Sequence, residues 1–201
     1  MLKPIISGIE EDNFRKSDSG ILLSSNNIKV TLDEVERISP WQFRAPLSPD
    51  MAASRENITI ELEGVVKFCH DAQDGAEDIL LIEGVGGVMV PLNDQYTVLD
   101  WIEATNLPTI LVVGSYLGTL SHSLTAFQAL STRGITVEAI VISESLESPV
   151  SLAETAESLS RFLPSEISEQ TLVCIARNEV RGITELSEKL CPPKSIKGIK
   201  G

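Results

Sequence analysis

Cysteine is scarce in this chain. There are three in 201 residues, at positions 69, 174 and 191, with no CxxC pair and no even-numbered set from which a disulfide framework could be built. That usage fits a reducing compartment, and the expectation is the cytoplasm. No apolar run approaches the roughly 20 residues of a membrane span, and the N-terminus lacks the basic-then-apolar layout of a signal peptide. A soluble protein that is not exported by that route is expected, with no membrane partner. Basic residues are also short: 16 Lys and Arg face 29 Asp and Glu, a formal net charge of −13. Clustered cations are what a nucleic-acid surface draws on, so nucleic acid is excluded as a partner; a phosphate ligand would have to be held locally. What remains is ordinary for one globular domain with a sizeable core: 42% hydrophobic and 22% charged residues.

Along the chain, short aliphatic runs alternate with helical patterns. "DILLIE" (78–83), "PTILVVG" (108–114), "TVEAIVIS" (136–143) and "TLVCIA" (171–176) read as buried strands. Helices are expected at 97–105, 119–133, 150–162 and 179–190, with an earlier, interrupted one from Ser48 to His70. Alternation of this kind implies βαβ crossovers, hence an α/β fold with a mostly parallel sheet, helices on both faces, and ligands at the carboxyl ends of the strands. No repeat or linker divides the chain, so one domain is expected over 1–190, followed by a flexible Pro/Gly/Lys-rich tail, "CPPKSIKGIKG" (191–201).

Several stretches invite a chemical reading beside a structural one. Glu83 ends the "ILLIE" run and is followed by Gly84, Val85, Gly86 and Gly87. The glycines permit positive φ or a close backbone approach, and a strand-end carboxylate beside such a loop can hold Mg²⁺. A tight turn with Glu83 solvated is the alternative, because "GVGG" lacks the spacing of a dinucleotide or phosphate loop. Asp18 or its neighbour Ser17 caps a helix ahead of "GILL". In "APLSPD" Ser48 caps a helix with Pro49 in its first turn, and in "GSYLGTLSHS" a helix starts with Thr119 or Ser121 as cap. Lys3 by itself is an exposed terminal lysine, and Ser7 a turn residue before Gly8. His122 reads as structural or surface, and the two tryptophans and Phe127 as packing.

Five blocks taken together go further. "MLKPIISGIEEDN", "KSDSGILLS" (16–24), "FRAPLSPDMAA" (43–53), "IEGVGGVMVPLND" and "LPTILVVGSYLGTLSHSLTAFQAL" (107–130) resemble, in order and spacing, the dethiobiotin synthetases of biotin synthesis, from about residue 3 to residue 145. The resemblance implies a homodimeric, P-loop-type α/β enzyme that uses MgATP to join CO₂ to 7,8-diaminononanoate and close the cyclic urea of dethiobiotin. It implies a catalytic Lys3 between carbamate and γ-phosphate, a diamine contact at Ser7, and Asp18 with Glu83 as Mg²⁺ ligands. Pro46, Leu47 and Ser48 would line the diamine groove, and the turn Gly118, Thr119, Leu120 and Ser121 would seat the substrate carboxylate of the neighbouring subunit. The nucleotide would meet Glu83, Gly84, Val85, Gly86 and Gly87, with its base read at Ser143, where the family commonly carries asparagine.

One departure is large. The family begins with a strand and a phosphate loop GxxxxGK[ST] upstream of "KP", and no GK[ST] tripeptide occurs in these residues. An N-terminally truncated chain lacking its first strand and phosphate loop is therefore expected. A catalytically silent substrate-binding or dimerisation paralogue is the alternative. The wider P-loop ligase group that includes cobyrinate amidation is a third reading, against which "PLSP" and "SYLG" argue.

Overall fold

A computed structural model describes residues 1–10, 12–75 and 79–190. The chain forms two compact units, Met1–Asn106 and a second from Leu107 onward. The tail expected at 191–201 lies outside the described residues.

The N-terminal unit is organised around its first residues. Strand β1 (Ile5–Ser7) pairs in parallel with β2 (Trp41–Phe43), Ile5 opposite Trp41 and Ser7 opposite Phe43. Just before β1 the same segment bridges the other way: Leu2 pairs in parallel with Ile82, donating to the Leu81 carbonyl and accepting from the Glu83 amide, both at 2.8 Å. Alternation sends successive side chains to opposite faces. Ile5 enters a core with Phe43, Ile60, Val65, Leu92 and Trp101, whereas Leu2 and Ile6 enter a second with Leu23, Val35 and Ile38. Around these strands run a 3-10 turn (Phe14–Lys16) and helices α1 (Asp18–Ser25), α2 (Leu32–Ile38), α3 (Pro49–Arg55), α4 (Leu62–Asp74) and α5 (Val98–Thr105). The helix expected from Ser48 to His70 is thus two helices, parted where Asn57 takes a left-handed φ of 57°.

The expected strand at 78–83 is corrected. Residue 78 lies outside the described residues, and 79–83 make a single bridge instead of a ladder. Leu80 and Ile82 pack against the second core, but Ile79 and Leu81 are 59% and 45% exposed. A fully buried strand needs cover on both faces; this segment has it on one.

In the C-terminal unit β3 (Thr109–Val113), β4 (Val137–Ser143) and β5 (Leu172–Ile175) form a parallel sheet in that order. Central β4 buries five of its seven residues, while edge strand β3 leaves Val112 exposed and so is only partly buried, contrary to its apolar run. Helices α6 (Thr119–Thr132), α7 (Leu152–Ser160), α8 (Ser165–Gln170) and α9 (Arg181–Leu190) complete the unit. The parallel strands with flanking helices are the expected α/β architecture. No helix among the described residues is long and apolar enough to cross a membrane.

Candidate functional site

The Leu2–Ile82 bridge sets Lys3 beside Glu83, 80 residues away in sequence. The Lys3 side chain is 5% exposed, so its ammonium must find partners within the protein. It finds three. Nζ donates to Glu83 Oε1 at 2.9 Å and to the Gly84 carbonyl at 2.6 Å, and stands 3.5 Å from Asp18 Oδ2. Far from being an exposed terminal lysine, Lys3 is the buried member of a charge cluster.

Asp18 arrives there through the start of α1. Ser17 is the N-cap, its Oγ accepting from the Gly20 amide at 3.2 Å, and Asp18 is the first helical residue. The cap therefore belongs to Ser17, which leaves the Asp18 carboxylate for Lys3. Gly20 permits the arrangement, because a Cβ there would stand 2.5 Å from the Phe14 carbonyl oxygen and 2.6 Å from that of Arg15.

Among the described residues no group of three or more His, Cys, Asp and Glu forms a metal cage. Mg²⁺ does not require one, since it is held by one or two carboxylates with waters and phosphate oxygens completing the shell. Asp18 and Glu83 fit that pattern: they meet at one ammonium, and at 61% and 49% exposure they remain open to water and ligand.

The glycines after Glu83 differ from one another. Gly86 has φ +63°, and a Cβ there would meet Val90 at 2.7 Å, so the turn itself requires glycine. At Gly87 a Cβ would meet nothing within 4 Å, and at Gly84 only Val98 at 3.8 Å. Val85 is buried in the first core and anchors the loop. At the end of β1, Gly8 (φ +75°) lets Pro46 approach within 3.1 Å of where its Cβ would be, which brings Ser7 and the "PLSP" loop together. A groove of about 910 Å³ in this unit is lined by Leu47, Asp50, Met51, Ile58, Asn93 and Tyr96 among others, but not by Pro46 or Ser48. Ser48 is the N-cap of α3 with Pro49 at N1, yet its side chain makes no capping hydrogen bond.

The remaining residues lie in the C-terminal unit. Helix α6 is capped by Gly118 (φ +99°), not by Thr119 or Ser121. The Thr119 hydroxyl instead donates to the Gly114 carbonyl at 2.6 Å and is buried, while Gly118, Leu120 and Ser121 are exposed. His122 is exposed with Nδ1 3.0 Å from the Tyr116 hydroxyl. Ser143 ends β4 opposite Ile175.

Sequence reasoning missed what fixes this turn. The Ser115 amide donates to Ser145 Oγ at 3.0 Å, the Ser145 amide donates to Ser115 Oγ at 2.9 Å, and Ser148 Oγ donates to the Ser115 carbonyl at 3.0 Å. This reciprocal clasp joins the loops leaving adjacent strands β3 and β4. The signal was a serine just past each strand end, which parallel pairing brings side by side.

Residues 1–180 match the family model described as AAA domain. A protein of Acidiphilium cryptum (strain JF-5) is 46% identical over 163 residues, 81% of this chain and 73% of its own length. One of Methylobacterium nodulans is 38% identical over 181 residues, covering 88% and 78%. One of Caulobacter sp. (strain K31) is 43% identical over 165 residues, covering 80% and 69%. All three bear the name ATP-dependent dethiobiotin synthetase.

Proposed function

Since the chain belongs to the ATP-dependent dethiobiotin synthetase family, we propose that it joins CO₂ to 7,8-diaminononanoate and closes the cyclic urea of dethiobiotin, consuming ATP. The reading includes Mg²⁺, a cytoplasmic location and a homodimeric functional unit. One substrate amine adds to CO₂ and loses a proton, giving a carbamate. A carbamate oxygen accepts the γ-phosphoryl group as ADP leaves, and the second amine then attacks the carbonyl carbon and expels phosphate.

The chain's residues serve this sequence by position and charge. The Lys3 ammonium balances negative charge that grows between carbamate and γ-phosphate. Asp18 and Glu83 would hold Mg²⁺, which neutralises phosphate charge. Ser7 hydrogen-bonds the diamine end, and Pro46, Leu47 and Ser48 line the path of the methylene chain. The partner subunit's Gly118, Thr119, Leu120 and Ser121 receive the far carboxylate on backbone N–H groups at the start of α6. Glu83 through Gly87 border the nucleotide, with Gly84 and Gly87 as the glycines whose need comes from ligand approach. Ser143 faces the base and offers fewer directed hydrogen bonds than an amide.

The observation that carries this reading is the buried Lys3 ammonium held between Glu83 at 2.9 Å and Asp18 at 3.5 Å. The test is incorporation of labelled CO₂ into dethiobiotin by the full gene product. Glu83→Gln and Asp18→Asn should cut turnover and weaken its Mg²⁺ dependence while leaving diamine affinity nearly intact. Lys3→Ala should raise the barrier by roughly 3 to 4 kcal/mol, as loss of an oxyanion-type donor does. Magnesium titrations of the carboxylate variants that overlay the parent's would refute the metal pair.

A further inference from the structure

We infer that Lys3 is the resident counter-cation of the Asp18–Glu83 pair, so that entry of a divalent ion and release of the Lys3 ammonium toward the reacting phosphoryl group are one exchange. The inference rests on the reading of Asp18 and Glu83 as metal carboxylates and adds what the lysine does before and during metal entry.

The geometry carries it. Glu83 Oε1 and Asp18 Oδ2 both turn to one ammonium, at 2.9 and 3.5 Å. Those are the oxygens a hard cation would take, at a spacing of about 2.0 to 2.1 Å for Mg²⁺. A +1 and a +2 charge cannot share so small a volume, because their repulsion is felt even at the dielectric of water and more strongly at a partly buried site. One must yield. The carboxylates, about half exposed, can accept a hydrated ion from solvent, whereas the lysine, 5% exposed, cannot withdraw into water. It has a third partner, the Gly84 carbonyl at 2.6 Å, which a metal on the carboxylates leaves in place. The ammonium therefore pivots on Gly84 and stays within the site. Two consequences follow: one of the two carboxylate charges is balanced without metal, which leaves the pair attractive to a divalent ion, and the charge needed for phosphoryl transfer is delivered only once the metal has replaced the ammonium.

Mn²⁺ binding measures the exchange without relying on turnover. Free Mn²⁺ is followed by electron paramagnetic resonance in titrations of the parent, Lys3→Met and Glu83→Gln proteins, each checked for an unchanged circular dichroism spectrum. Lys3→Met removes the competing charge while keeping length and apolar packing, and should bind Mn²⁺ about tenfold more tightly than the parent. Glu83→Gln should lose binding. Unchanged or weaker Mn²⁺ affinity in Lys3→Met, together with loss in Glu83→Gln, overturns the exchange and leaves the metal pair standing. Parent-like affinity in Glu83→Gln removes the metal pair and the exchange with it. If Lys3→Met does not fold, the parent labelled with ¹⁵N at lysine Nζ gives the answer. The Lys3 resonance, assigned by its disappearance in Lys3→Arg, should shift with the same midpoint as Mg²⁺ binding, and a resonance that stays put while the site fills overturns the inference.

Discussion

In the N-terminal unit the polar groups beside the Leu2–Ile82 bridge are held by charge: one buried ammonium between two half-exposed carboxylates and a carbonyl. In the C-terminal unit the corresponding groups are neutral hydroxyls and amides, Ser115 with Ser145 and Thr119 with Gly114, in short directed bonds. The contrast separates two tasks. An ion cluster whose carboxylates are open to solvent can trade one partner for another at little cost in backbone geometry, which suits the metal exchange proposed for it. A reciprocal clasp built on the buried Ser115 hydroxyl has no equivalent partner to trade for, and breaking it strands a donor; it suits a turn that has to hold one shape.

The largest effect should come from disturbing how the charged cluster is assembled. Gly20→Ala would place a Cβ within 2.7 Å of backbone atoms of Phe14 and Arg15, which cannot rotate away. Overpacking of this kind costs about 1 to 3 kcal/mol, and a backbone clash belongs at the upper end. Denaturant unfolding should show a loss of about 3 kcal/mol. A loss under about 0.5 kcal/mol, the range of an ordinary surface substitution, would mean that α1 slides freely and that Asp18 is not held in register with Lys3.

The same contrast explains what the sequence revealed. The C-terminal strands β3, β4 and β5 and helices α5, α6, α7 and α9 were legible because each carries four or more residues of consistent period. Strands β1 and β2, three residues each, carry no period and exist because Ile5 and Phe43 share a core. "ILLIE" misled for the opposite reason: its composition is that of a buried strand, but one face of it is exposed. Chemistry was legible where a motif is contiguous, as at Glu83 and its glycines. The Ser115–Ser145 clasp spans 30 residues and depends on strand adjacency that composition does not encode.

A second, intermediate effect should separate the neutral frame from the charged one. Ser115 is 1% exposed, and Ser115→Ala leaves the amide of half-buried Ser145 without its acceptor. A stability loss of about 1 to 3 kcal/mol is expected. Ser145→Ala should cost a similar amount, and the double variant less than the two together, because both remove one reciprocal unit. Raising salt should leave these losses unchanged, since neutral bonds are not screened. Strict additivity in the cycle would show that the two serines act separately and that no clasp exists.

The smallest effect concerns a charge that the C-terminal unit does use, and its pH dependence follows from the structure. Helix α7 begins with a capping box: Ser151 Oγ accepts from the Glu154 amide at 3.2 Å, and the Glu154 carboxylate accepts from the Ser151 hydroxyl at 2.8 Å and its amide at 3.1 Å. Those two bonds from Ser151 hold the Glu154 carboxyl below the ordinary glutamate range. A carboxylate whose affinity for protons is lowered by folding stabilises the folded chain at pH values above the ordinary range, where both states are ionised. That contribution fades as pH falls through the lowered folded-state value, where the folded chain also binds the proton. The group is fully exposed, so solvent and salt weaken the effect. Glu154→Gln keeps the side-chain oxygen of the box but removes the charge. The parent should therefore be slightly more stable than Glu154→Gln near neutral pH, and the two should converge in acid, as read by denaturant midpoints across a pH series. A difference that persists unchanged into acid would assign the capping energy to geometry alone, and the C-terminal unit would then hold this turn, like its clasp, without using charge.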